Sequence, residues 1–129
     1  MASYLWIGLG GALGSMARYW CAGYVAERIG TDFPWGTFTV NVVGSFLIGV
    51  LATAGDGRFP LGGEARQFLM IGLLGGYTTF SAFSLETLSL ARDGDWLRAG
   101  GNIVLSVALC LVAVWFGHLA ATALNQIKG

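Results

Sequence analysis

The sequence is short of charge. Only 11% of its 129 residues are Asp, Glu, Lys or Arg, against about 25% in a typical soluble domain. Seven basic residues balance seven acidic ones, so the chain has no basic field that would attract nucleic acid. This scarcity excludes a soluble surface and a nucleic-acid partner, and it predicts an integral membrane protein in contact with the lipid bilayer.

Proline, cysteine and histidine are also rare. Both prolines, Pro34 and Pro60, fall between the apolar segments, where a missing backbone donor does no harm. Cys21 and Cys110 are far apart and show no metal-ligand spacing. We interpret His118, the single histidine, as structural. With neither metal-ligand spacing nor a catalytic triad, the sequence does not predict an enzyme.

The chain instead contains long apolar segments. Residues of the AVILMFWYC set make up 55% of it, and a spanning helix needs about 20 predominantly apolar residues. Four segments meet this requirement: Ser3–Val25, Gly36–Ala54, Ala65–Ala91 and Trp96–Leu124. The connections between them are short and hold nearly all the charge. We therefore expect an all-α membrane protein in which residues 1–129 form a single domain of four transmembrane helices.

The basic residues do not decide the orientation of this bundle. Arg58, Arg66 and Lys128 would lie on one side, and Arg28, Arg92 and Arg98 on the other. Because three against three gives no preference, the chain is expected to insert both ways up, which permits an antiparallel homodimer. Alternatively, one loop arginine fixes a single topology, and charge alone leaves both possibilities open. A four-helix monomer is too small to enclose a polar pathway, which favours the dimer.

The third segment is predicted to break near its middle. Two adjacent glycines and two threonines, over Gly75–Thr79, make a poor helix interior. Non-helical backbone at membrane depth persists only where it is buried in protein or lines a cavity. Its free carbonyls suit a small cation, and the restarting helix aims its positive end at whatever lies beyond.

Just after this break, Phe80, Phe83, Ser84 and Thr87 fall at helical spacing on one face. A phenylalanine stripe usually means packing, but ring edges carry positive charge and can touch an anion without binding it tightly. Hydroxyls and the amide of Asn41, in the second segment, would supply further donors. Weak donation at several sites is what ion conduction requires. Asn41 has the alternative role of an interhelical hydrogen bond.

Two ionisable side chains lie inside the predicted spans. Placing such a group there costs at least about 2.5 kcal/mol unless it meets water or a partner. Arg18 is a functional candidate, with snorkelling to the interface as its alternative. Glu86 lies deeper and has a shorter side chain, so we expect it to face a wet pathway.

Small and polar residues elsewhere in the spans favour helix packing. Gly10 and Gly14 form a GxxxG pair, and Gly72 and Gly76 form another. Asn102 and Ser106, at i and i+4, could hydrogen-bond between helices.

Three motifs in order resemble the CrcB/Fluc family of bacterial fluoride channels over nearly the whole chain. They are Gly10-Gly11-xx-Gly14-xxx-Arg18-Tyr19, Gly36-Thr37-xxx-Asn41-xx-Gly44-Ser45-Phe46-xx-Gly49 and Gly72-xx-Gly75-Gly76-x-Thr78-Thr79-Phe80-Ser81-x-Phe83-Ser84-x-Glu86. The third motif is the most specific of them.

This resemblance implies a dual-topology antiparallel homodimer in the bacterial inner membrane, with two pores that passively export fluoride and relieve its toxicity. The pore residues it implies are Asn41, Phe80, Phe83, Thr79, Ser81, Ser84 and Glu86. It places Arg18 in the aqueous vestibule, and it implies a structural sodium ion held by the backbone carbonyls of Gly75 and Thr78. Many relatives have a hydroxyl where this chain has Ala82, so the polar track is expected to be thinner here.

Two other functions are compatible with four short helices. A small multidrug-resistance-type transporter, proton-coupled and also of dual topology, relies on a carboxylate in its first helix, where this chain has Arg18 and no acid. A non-transporting membrane subunit would leave the predicted break and the buried Asn41 without a purpose.

Overall fold

The computed structural model describes residues 1–57 and 59–127, and over these residues the chain is helical. α1 spans Ala2–Ile29 and α2 spans Trp35–Gly55. The third membrane segment consists of α3 (Gly63–Arg66), a π-helix (Gln67–Leu74), α4 (Gly75–Tyr77) and α5 (Phe80–Arg92). α6 spans Trp96–Gln126.

This order confirms the all-helical prediction with an interrupted third helix. Among the described residues, three helical stretches are long and apolar enough to cross a membrane: Trp35–Gly55, Gly63–Arg92 and Trp96–Gln126. α1 is long enough, but glycines, aromatic residues with polar atoms and Arg18 dilute its apolar character. A single domain over residues 1–129 stays a prediction, and Arg58 and Lys128 of the charge count lie outside the described residues.

The predicted boundary of the first helix is wrong by one turn. α1 continues from Val25 to Ile29 because Glu27 and Arg28 end the apolar run without disfavouring a helix. The helix stops at Gly30, which has φ of 116° and whose N–H donates to Ala26 O at 2.9 Å. Glycine adopts this backbone conformation without a Cβ penalty, so the residue ends α1 cleanly.

Glycine packing joins the helices into two pairs. α1 packs along the third segment, and α2 packs along α6. A Cβ on Gly72 would lie 2.7 Å from Ile7 O, and one on Gly76 would lie 2.7 Å from Gly11 O. The interpretation of the two GxxxG pairs as helix packing is therefore confirmed, because any larger residue would push these backbones apart.

Local contacts hold the connections between the helices. Phe33 and Trp35 lie 4.6 Å apart, ring centroid to centroid, at the start of α2. Arg66 forms an ion pair with Asp56 across the second connection. In the third connection, the Asp95 carboxylate accepts a hydrogen bond from Arg98 N at 3.2 Å and begins α6. Hydrogen bonds from Arg98 lower the pKa of Asp95, which therefore stays ionised as a cap.

Candidate functional site

The third segment leaves helical geometry at Thr78 and Thr79. Both residues are extended, with φ/ψ of −89°/160° and −153°/114°. α4 ends at Tyr77 and α5 restarts at Phe80. The break thus falls inside the range predicted from the glycine and threonine pairs.

Asn41 bridges this break from α2. Its Nδ2 donates to Thr79 O at 3.0 Å, and its Oδ1 accepts from Thr79 N at 2.7 Å. One side chain therefore satisfies both backbone groups of the most extended residue in the break. This pairing is the interhelical hydrogen bond that the sequence left open as a role for Asn41, and it fixes α2 against the third segment.

Two backbone carbonyls near the break lose their regular helical donors. In an α-helix, Gly75 O would accept from the N–H of Thr79, but that N–H donates to Asn41. Thr78 O would accept from the N–H of Ala82, which instead donates to Thr79 Oγ1 at 3.1 Å and caps α5. The carbonyls released in this way are those that the resemblance assigns to a sodium ion.

A cavity of about 320 Å³ opens beside the break. Its walls come from α2, the third segment and α6. Six predicted site residues line it: Asn41, Gly75, Thr78, Thr79, Phe80 and Phe83. The rings of Phe80 and Phe83 lie 5.3 Å apart, centroid to centroid, at an angle of 44°. Phe80 is 77% exposed, so its ring stands at an open side of the cavity.

Ser81 and Ser84 lie outside this cavity. The hydroxyl of Ser84 donates to Phe80 O at 3.0 Å, one turn back along α5. The Ser81 hydroxyl is exposed and lies 3.3 Å from Thr79 Oγ1. In this conformation both hydroxyls are occupied locally.

A second cavity, of about 500 Å³, contains Arg18 and Glu86. Thr79 lines both cavities. Arg18 Nε donates to Gly76 O at 3.1 Å, a carbonyl next to the break. Arg18 therefore contacts the end of α4, whereas a snorkelling side chain would extend towards the headgroups.

Glu86 is hydrogen-bonded to α2 through one of its two carboxylate oxygens. Thr37 Oγ1 donates to Glu86 Oε1 at 2.8 Å. The other carboxylate oxygen, Oε2, is buried and has no hydrogen-bond partner among the described residues. Glu86 and Phe80 line different cavities, and Thr79 is the predicted pore residue that lines both.

The sequence reasoning did not place α6 at the site. Ser106 and Cys110 line the first cavity together with Gly44 and Ser45 of α2. The signal was present, since Asn102, Ser106 and Cys110 recur at i, i+4 and i+8 on one face of α6. His118, far from the cavity, links α6 to α2 by a 2.8 Å contact from Nδ1 to Thr53 Oγ1.

Fold and site together define a multi-pass α-helical membrane protein whose third span is interrupted beside a cavity lined with aromatic and amide groups. The family model described as CrcB-like protein, Camphor Resistance (CrcB), matches residues 5–118, and the chain belongs to this family. It is a multi-pass protein of the bacterial inner membrane.

Three similar proteins carry the name fluoride-specific ion channel FluC. The protein of Opitutus terrae is 61% identical over 131 residues, covering 100% of this chain and 99% of the relative. That of Methylocella silvestris is 60% identical, covering 98% of each chain. That of Rhodospirillum rubrum is 52% identical, covering 96% of this chain and 98% of the relative. These names describe channels and not enzymes.

Proposed function

We propose that this protein is a fluoride-selective passive ion channel that exports cytoplasmic fluoride and so relieves fluoride toxicity. The observation that carries the proposal is the 61% identity, over the full chain, to a protein named a fluoride-specific ion channel. The cavity at the helix break supports it, because its lining combines two phenyl rings with an amide donor and, among the described residues, carries no charged side chain. No energy-coupling domain is needed, since a passive pore lets fluoride leave the cytoplasm down its concentration gradient.

Fluoride passes, in this proposal, between Asn41 and the rings of Phe80 and Phe83. Asn41 uses one N–H of its amide for Thr79 O, and the second N–H of the same amide donates to the ion. The edges of the two rings carry partial positive charge, so they attract the anion without binding it tightly. Several weak contacts let the ion leave as readily as it enters.

From the cavity the pathway continues along Thr79 and the hydroxyls of Ser81 and Ser84 to Glu86. Thr79 supports this course because it lines both cavities. Each serine hydroxyl rotates about one bond, so it can exchange its local acceptor for the ion. Arg18, in the second cavity, supplies positive charge to a vestibule there.

Two antiparallel copies form the working channel, with two pores. The exposed ring of Phe80 supports a partner, because the cavity has an open side that a second chain would close. The equal numbers of basic residues at the two ends support insertion in both orientations.

A structural sodium ion between the two copies would be held by the carbonyls of Gly75 and Thr78. These carbonyls fit a sodium ion because their helical donors are diverted to Asn41 and to Thr79 Oγ1. Both residues also line the cavity. The positive ion would contact the carbonyl oxygens that the break leaves without their helical donors. Replacing sodium by a larger organic cation should lower fluoride flux, and flux that is indifferent to the cation would refute the site.

The test of the channel is anion efflux from liposomes. Purified protein is reconstituted in vesicles loaded with potassium fluoride or potassium chloride, and efflux is followed with an ion-selective electrode after addition of a potassium ionophore. We expect fast fluoride efflux and negligible chloride efflux. Folded protein that releases no fluoride would refute the proposal and direct attention to proton-coupled substrates acting through Glu86.

A further inference from the structure

A chain of hydrogen-bonded polar side chains links α5 and α6; Asn102 and Ser106 are buried and Thr87 is half-buried. Asn102 is 1% exposed and is one of the two largest fully buried side chains of the described residues. Its Nδ2 donates to Thr87 Oγ1 at 2.9 Å, and Thr87 Oγ1 donates to Phe83 O at 2.7 Å. On its other side, Asn102 Oδ1 accepts from Ser106 Oγ at 3.1 Å.

Both ends of this chain reach the first cavity, and its middle does not. Phe83 and Ser106 line the cavity, whereas Asn102 and Thr87 are absent from its walls. Asn102 is therefore connected through hydrogen bonds to one lining residue on each helix, Phe83 of α5 and Ser106 of α6, and does not line the cavity itself. A buried amide with both polar ends satisfied favours one relative position of the two helices.

This chain of hydrogen bonds joins α6 to α5. α6 packs mainly along α2, through close contacts such as Gly49 with Val114 O and Gly117 with Phe46 O. The hydrogen bond from Asn102 to Thr87 is a polar connection between α6 and the helix that carries Phe80 and Phe83.

We propose that Asn102 is a positioning residue that sets the distance between the Phe83 wall and the Ser106 wall of the cavity. The inference rests on the proposed function, because it assigns Asn102 a part in fluoride selectivity. A small anion with weak contacts requires walls held at a fixed separation. Without the hydrogen bond to Thr87, α5 can shift relative to α6. The distance between the Phe83 wall and the Ser106 wall is then no longer fixed.

The test compares variants that break the Asn102 to Thr87 bond from either end. Asn102→Leu removes the amide at similar volume, and Thr87→Val removes the hydroxyl isosterically. We expect each to lower the ratio of fluoride to chloride efflux by about tenfold, and the double variant to be no worse than the worse single one, because both act on one interaction. Thr87→Ser, which keeps the hydroxyl, should have the wild-type ratio of fluoride to chloride efflux.

Thr122→Val is the matched control. Its hydroxyl also donates one turn back, to His118 O at 2.8 Å, but it lies outside the cavity. We expect a wild-type ratio from this variant.

Thermal unfolding in detergent separates loss of the fold from loss of positioning. An unchanged efflux ratio in Asn102→Leu, or singles whose effects multiply in the double variant, would overturn the inference while leaving the channel intact. Absence of fluoride efflux from the wild-type protein in the same vesicles would instead refute the proposed function, and the inference with it.

Discussion

At the scale of single residues, Asn41 has a structural task as well as its proposed contact with fluoride. Its amide closes both backbone hydrogen bonds of Thr79. The sequence identified Asn41 as a buried amide in the second span, but it could not reveal this pairing. The partner is a backbone group 38 positions away, and the pairing exists only because α2 lies beside the break.

Asn41→Ala is expected to destabilise the protein. Two hydrogen bonds to half-buried backbone groups are lost, which costs about 1 to 3 kcal/mol because the Thr79 groups are left unpaired. The measurement is the midpoint of thermal unfolding in detergent. Asn125→Ala is the control, since Asn125 Nδ2 also donates to a backbone carbonyl, Thr53 O at 3.0 Å, far from the break. Equal or smaller loss of stability in Asn41→Ala would contradict the bridging role.

Phe80→Ile is expected to reduce fluoride efflux strongly while leaving assembly intact. Isoleucine is apolar but has no ring edge, so the anion loses a positively charged contact. Liposome efflux measures flux, and gel filtration reports assembly. Phe116→Ile changes an exposed ring of α6 outside this cavity and should conduct as the wild type does. Wild-type flux in Phe80→Ile would remove the ring edge from the mechanism.

At the scale of elements, the break was predictable and the π-helix before it was not. Adjacent glycines and threonines weaken a helix by their own backbone preferences, so the interruption at Thr78 and Thr79 follows from local sequence. Gln67–Leu74 has no comparable signature. Its wider turns accompany the close packing of Gly72 and Gly76 on α1, which is a tertiary contact that local preferences do not contain.

Gly72→Ala tests this packing. A Cβ at this position would lie 2.7 Å from Ile7 O and 3.0 Å from Gly10 Cα, so α1 has to move outwards. We expect a loss of about 1 to 3 kcal/mol in the free energy of unfolding. Gly8→Ala is the control on α1, where a new Cβ meets nothing within 4 Å and alanine favours the helix. A Gly72→Ala protein as stable as Gly8→Ala would contradict the close approach.

At the scale of the whole molecule, four helices and their approximate ends followed from apolar length, but their neighbours did not. Hydrophobicity shows that a segment crosses the membrane, whereas the pairing of α2 with α6 depends on which glycines meet. For this reason the contribution of Ser106 and Cys110 to the cavity was missed. The antiparallel homodimer stays a prediction.

Biasing the orientation tests that dimer. Gly62→Arg with Gly63→Arg adds basic charge at one end of the bundle, at positions where a new side chain has open space. Thr31→Arg with Asp32→Arg, both at exposed positions, adds charge at the other end. Each biased chain should insert one way up and lose most of its fluoride flux, and co-expression of the two should restore it. Glutamine at the same positions is the control.

A singly biased chain that inserts uniformly and still conducts at the wild-type rate would contradict antiparallel assembly. Restoration by co-expression excludes damage from the substitutions themselves.

The most direct test of the channel is the reversal potential across a planar bilayer with unequal concentrations of potassium fluoride on the two sides and potassium chloride added to one side. A passive fluoride channel carries current that reverses at the potential set by the fluoride gradient, unaffected by the chloride concentration or by a pH difference. A reversal potential that follows chloride or the pH difference, or the absence of current from folded protein, would contradict the account.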